Sequence, residues 1–394
     1  MARKYGVKTE KASGLGLDPE RLNDLGGAIE KDTSKGLYDG AAFLVARGGE
    51  VVMHGATGST DLEKRRGASK EDVFFVMSIT KQLTTATVLM RIDRGELTLT
   101  TPVAEIVPEF GIKGKQNITV KHLLTHTSGI SPELPPALPL EQIGDLQAYV
   151  AAACDQRLMN LPDKGVSYNP FTAHGILAEM VRRLDGGNRP FRRIVTEDVL
   201  EPLGMKDTSM GLRPDLAGRR VPVVFRDKTP GLFDPALLEA TNILFDEETE
   251  LPAGGVFSTV YDIYRFSEML RREGELDGVR LLSPAIVQLA VTNHTGVHSN
   301  DLFDYAREMY GWPEWPAYLG LSFFLRGVGV FPTPLGIHTS PRTFAGLGAG
   351  STVFWVDPER DLTFVCFTAG LLEEGASMLR FQRLSDLAVS AVVD

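Results

Sequence analysis

The chain of 394 residues is 43% hydrophobic and 23% charged, a balance that supports a substantial buried core, and its length predicts one large domain with an insertion or two domains sharing a cleft. A formal charge of −10 and a longest basic run of only Lys64-Arg65-Arg66 argue against a nucleic-acid partner. No apolar stretch follows Met1-Ala2-Arg3-Lys4 or is long enough to span a bilayer, and Cys154 and Cys366 are too few for a disulfide framework, so a cytoplasmic protein without a membrane partner is expected.

In chain order, Asp18-Pro19 reads as an N-cap followed by proline at the first helical position, predicting a helix to about Ile29. Strands are expected at 41–47 and 50–55, joined at Gly48-Gly49, a hairpin signal. Next comes Ser78-Ile79-Thr80-Lys81, the only Ser-x-x-Lys in the chain. A run without glycine or proline follows from Gln82 to Arg94, with Leu83, Ala86, Leu89 and Met90 at helical spacing and Gly95 as a stop. Residues three apart share a helix face, so Lys81 can reach the Ser78 hydroxyl. A serine becomes a useful nucleophile when a neighbour takes its proton, and an amine of lowered pKa can do so. Backbone N–H groups at the helix start favour a developing oxyanion. A serine cap followed by a solvated lysine is the same pattern without chemistry.

Thr101-Pro102 predicts a further helix ending before Pro108, and 118–130 a short helix running into a Ser-Gly turn. Prolines 132, 135, 136 and 139 then mark a loop, so 80–184 reads as a mostly helical region. The Gly/Pro-bounded loop 162–170 can present Tyr168 to a cleft, where a nearby ammonium would lower its pKa from about 10; an ordinary packed aromatic is the other reading. Helix starts are expected at Ser258-Thr259 and Ser283-Pro284. Aromatic residues concentrate at 301–331, and the prolines of Gly311-Trp312-Pro313-Glu314-Trp315-Pro316 exclude a continuous helix or central strand. Trp312 and Trp315 either pack over the core or wall a pocket for a substrate's acyl or alcohol group. The Gly-rich stretch 344–351 precedes strands at 352–356 and 362–368 and a final helix from about Ser377; such an edge allows close backbone approach to a ligand. Seven histidines include no His-Glu-x-x-His and read as core or surface residues, so neither metal nor cofactor is expected.

Ser78-x-x-Lys81, Tyr168 on its loop, the segment 120–129 and the Gly-rich strand before Phe354-Trp355 occur in the order found in the serine β-lactamase-like superfamily. The chain resembles in particular the class C β-lactamase-related, or family VIII, carboxylesterases. That resemblance implies an α+β fold: an antiparallel sheet flanked by helices (residues 1–75 and 250–394) plus a mostly helical domain (76–249), with the active site between them. It implies Ser78 as nucleophile, Lys81 and Tyr168 as a shared general base, and the N–H groups of Ser78 and Ala349 as oxyanion hole. The implied activity is hydrolysis of small-molecule carboxylic esters through an acyl-serine, with transfer to alcohols as a second fate; amide or β-lactam hydrolysis and a non-catalytic binding protein are the alternatives.

Two features depart from the family. Its usual Tyr-x-Asn is Tyr168-Asn169-Pro170 here, so the substrate-binding amide is either missing or supplied by Asn169 from a shifted position. The Lys-Thr-Gly of the lactamases aligns with Gly346-Leu347-Gly348, and no lysine follows Lys228, which weighs against holding a β-lactam carboxylate. Gly346 in place of a bulky residue suggests a roomier pocket.

Overall fold

The structure, a computed structural model, describes residues 4–227, 229, 231 and 234–394; Met1, Ala2, Arg3 and Lys228 lie outside the described residues. Its centre is an antiparallel sheet of seven strands: Gly40–Arg47 (β1), Glu50–Asp61 (β2), Arg66–Gly67 (β3), Phe324–Leu325 (β4), Phe344–Gly348 (β5), Thr352–Asp357 (β6) and Leu362–Ala369 (β7). The order across the sheet is β3-β2-β1-β7-β6-β5-β4, which brings the two ends of the chain together at β1 and β7, paired with Phe43 opposite Cys366 and Leu44 opposite Val365.

Successive side chains on a strand point to opposite faces, and here both faces are covered. On β1, Ala41, Phe43 and Val45 enter one core while Ala42, Leu44 and Ala46 enter the other; on β6, Val353 and Trp355 oppose Phe354 and Val356. Burial on both sides explains why these strands read as continuous apolar runs. The first core lies under the helices Pro19–Ser34 and Glu374–Ser390, and Trp355 Nε1 donates to Ser385 Oγ at 2.9 Å across that interface. The second extends from the sheet through Val260–Arg271 into the helices Thr80–Asp93 and Pro170–Leu184 without a break.

Local chemistry set most boundaries as expected. Asp18 caps its helix by accepting from Glu20 N–H, and Gly48 and Gly49 take φ of 57° and 83° in the hairpin. Thr259 caps the helix of 260–271, and Ser283 that of 284–290. One expectation fails: Thr101-Pro102 leads only into a 3-10 turn, Val103–Glu105. There Val103 N–H bonds to Ile118 O and Pro102 forms a bridge with Thr119, which fixes the entry of the turn, while Pro108 biases Val107 away from helical backbone and ends it. Among the described residues no helix is long and apolar enough to cross a membrane.

Candidate active site

Ser78 lies in a single 3-10 turn, Met77–Ile79, that feeds directly into the helix Thr80–Asp93. Met77, just before it, is buried at φ 48°, a left-handed conformation costly for a side chain and stabilised here by its surroundings. Thr352 Oγ1 donates to Val76 O at 3.1 Å, Thr80 Oγ1 accepts from Val256 N–H at 3.0 Å, and Thr84 Oγ1 donates to Pro252 O at 2.8 Å. The turn is thus tied to the sheet on one side and to the 252–256 segment on the other.

Lys81 does not sit on a solvated helix face. It is 1% exposed, its Nζ donates to the Ser78 carbonyl oxygen at 3.0 Å, and no carboxylate pairs with it among the described residues. A buried ammonium without a counter-charge is expensive, and burial drives the Lys81 pKa well below the ordinary lysine value, which favours the amine form. Tyr168 closes the group from a distant loop: its Oη–H donates to Ser78 Oγ at 3.2 Å, and its ring centroid lies 4.9 Å from Lys81 Nζ. Burial raises the phenol's pKa, with the Ser78 hydrogen bond opposing. The expected lowering by a neighbouring ammonium is therefore not found: burial of the phenol dominates, and only the Ser78 hydrogen bond opposes it.

The Tyr168 loop is fixed by contacts the sequence does not advertise. Tyr168 N–H donates to Asp301 Oδ1 at 2.9 Å, Ser167 N–H to His126 O, and Val166 bridges Asn300. His126 packs its ring 4.7 Å from that of Tyr168 and 5.7 Å from that of His174. His174 Nε2 lies 3.0 Å from Ser322 Oγ. Burial holds both imidazoles neutral, His126 at about 3 and His174 well below its usual value. They are core residues beside the amine, and His122 is occupied by Thr119 N–H and Asp163; no cluster suited to a metal occurs among the described residues.

Two cavities meet at Ser78, and Tyr168 and Ala349 line both. The larger, about 340 Å³, is walled by Phe75, Pro132, Leu134, Ile143 and Phe171, and by Leu237, Leu238 and Leu244 of the helix Pro235–Leu244. The smaller, about 80 Å³, lies toward Phe303, Phe324, Leu347, Gly348, Met378 and Phe381. The Ala349 N–H has no intramolecular acceptor among the described residues, so a donor is available between Gly348 and Gly350.

Several expected binding residues stand elsewhere. Asn169 is buried and its amide is consumed: Nδ2 donates to Ser128 Oγ at 2.8 Å and to Ile130 O, and Oδ1 lies 3.1 Å from His126 Nδ1. The following Pro170 starts a helix and turns the residue away from the cavities. Trp312 stacks on Tyr310 at 4.6 Å, and Trp315 packs between Phe303 and Phe331. Neither tryptophan lines a cavity at Ser78; Trp315 supports the wall from behind, through Phe303. Gly346 does not enlarge a pocket either: a Cβ there would lie 2.3 Å from the Phe354 ring and 2.5 Å from Gln82 Oε1. Gly348 has a different reason, since a Cβ there would lie 2.5 Å from Val76 O, and its absence lets β5 abut the Ser78 turn. The cavity walls at 132–143 and 235–244 were missed by the sequence reading; Asp234-Pro235 followed by Leu237, Leu238 and Leu244 repeats the cap signal of Asp18-Pro19 and could have revealed the second.

The antiparallel sheet flanked by helices and a site built on Ser78 define a hydrolase of the serine β-lactamase fold. A family profile described as Beta-lactamase matches residues 27–387, and the chain belongs to that family. It is 29% identical over 264 residues to Esterase EstB of Burkholderia gladioli, covering 59% of this chain and 65% of the esterase. Protein Rv1367c of Mycobacterium tuberculosis is 27% identical over 383 residues, covering 85% and 86%. Similar solved structures include a penicillin-binding protein homolog from Caulobacter crescentus (TM-score 0.77, 23% identity, 95% of this chain and 99% of that one) and a family VIII carboxylesterase (TM-score 0.73, 19%, 92% and 97%).

Proposed function

We propose that the protein is a serine carboxylesterase acting on small-molecule esters. The observation that carries this reading is a fully buried Lys81 without a carboxylate partner one helical turn from Ser78, with Tyr168 Oη already hydrogen-bonded to Ser78 Oγ. In this scheme the Lys81 amine takes the Ser78 proton as Oγ attacks the ester carbonyl. The tetrahedral oxyanion is held by the N–H groups of Ser78 and Ala349. Its collapse breaks the bond to the alcohol oxygen, which takes a proton from Tyr168; the Lys81 ammonium restores the phenol. Water then adds to the acyl-Ser78 ester, giving its proton to the same pair, and the acid leaves as Oγ is reprotonated. Lys81 and Tyr168 act as one titrating unit in both halves.

The apolar walls and the esterase EstB among the relatives support esters over charged amides. A panel of p-nitrophenyl esters set against a chromogenic cephalosporin tests the choice. Ester turnover should dominate and vanish in Ser78→Ala; rapid cephalosporin cleavage with little ester turnover would reverse it. Failure of a fluorophosphonate to label Ser78 would favour a binding protein instead.

A further inference from the structure

Among the described residues, the charged groups that line the two cavities are all of one sign. On the larger cavity they are Glu133, in the proline-rich loop, and Asp234, at the mouth of the helix Pro235–Leu244; on the smaller one only Glu374 is charged. No lysine, arginine or histidine lines either cavity among the described residues. A helix N-terminus would ordinarily welcome an anion, but Asp234 already occupies this one, accepting from Ala236 N–H at 2.8 Å.

We propose that this site sorts esters by charge, accepting an uncharged or cationic arm in the larger cavity and rejecting an anionic one through Glu133 and Asp234. The inference rests on the carboxylesterase reading and adds its substrate class. A carboxylate entering the cavity would leave water for apolar walls, pass the exposed carboxylates of Glu133 and Asp234, and find no cationic side chain lining the cavity among the described residues. A quaternary ammonium would meet two counter-charges beside apolar surface that suits its methyl groups. A neutral arm avoids both effects.

The test uses three p-nitrophenyl esters with one acyl chain length, ending in a carboxylate, a tert-butyl group or a trimethylammonium group. Acylation of Ser78 is followed by intact mass alongside kcat/KM. The cationic and neutral esters should exceed the anionic one by at least about tenfold at low salt, and the gap should shrink as ionic strength rises. In Glu133→Gln/Asp234→Asn, where asparagine preserves the helix cap, the anionic deficit should fall to within about threefold. The single Glu133→Gln, which leaves the cap untouched, should give part of that change. Equal acylation of Ser78 by all three esters would overturn the charge selection while leaving the esterase reading intact, as would discrimination indifferent to the substitutions. No acylation of Ser78 by any of them would overturn the esterase reading, and this inference with it.

Discussion

Burying Lys81 carries a cost, because its ammonium is disfavoured relative to an unfolded chain in which it titrates near 10.4. The unfolded state binds a proton there that the native state does not, so stability rises with pH from the depressed native pKa up to the ordinary lysine range. Lys81→Met removes that cost and should raise Tm while lowering kcat at least about 100-fold, a split that scanning calorimetry and ester kinetics read together. A fall in Tm with activity retained would mean that Lys81 is a packing residue. Tyr168→Phe should likewise lose at least about 100-fold in kcat with its aromatic contacts kept. The sequence brought out Ser78, Lys81 and Tyr168 as candidates because each lies in a short ordered motif, and the fold brings the three together. It misplaced Asn169, because one residue of shift before Pro170 decides which way an amide faces, and Trp312 and Trp315, because an aromatic cluster does not say which ring is outermost.

Hairpin, helix caps and the strands at 352–369 were readable from turn chemistry and apolar runs, since local residues alone determine them. The role of β5 was not, because the neighbours of Gly346 and Gly348 come from Phe354, Gln82 and Val76, which only the folded sheet brings together. Gly346→Ala should therefore destabilise by about 1 to 3 kcal/mol through overpacking, measured by urea unfolding, and should not broaden the accepted esters. Unchanged stability with faster turnover of bulky esters would restore Gly346 as a pocket residue. Gly348→Ala forces β5 off the Ser78 turn, so it should depress kcat as well as stability.

The apolar core that runs from the sheet into the helices ties the site's geometry to the stability of the whole fold. Within it His126 is held neutral at about 3 and His174 well below its usual value, while His54, elsewhere, is held at about 4. The unfolded chain protonates all three near 6.5, so their net effect is a loss of stability as pH falls below about 6.5. Asp262, raised by burial to about 6, works in the opposite direction and offsets one of them. Urea midpoints at pH 7.5 and 5.5 should differ accordingly, and equal midpoints would show these imidazoles charged in the fold. Every proposed step requires an acyl group to pass through Ser78, and mass mapping of a quenched ester reaction addresses that directly. The added acyl mass should fall on the tryptic peptide of 71–81, at Ser78, in the wild type and disappear in Ser78→Ala. Ester turnover with no adduct there, or with the adduct on another residue, would contradict it.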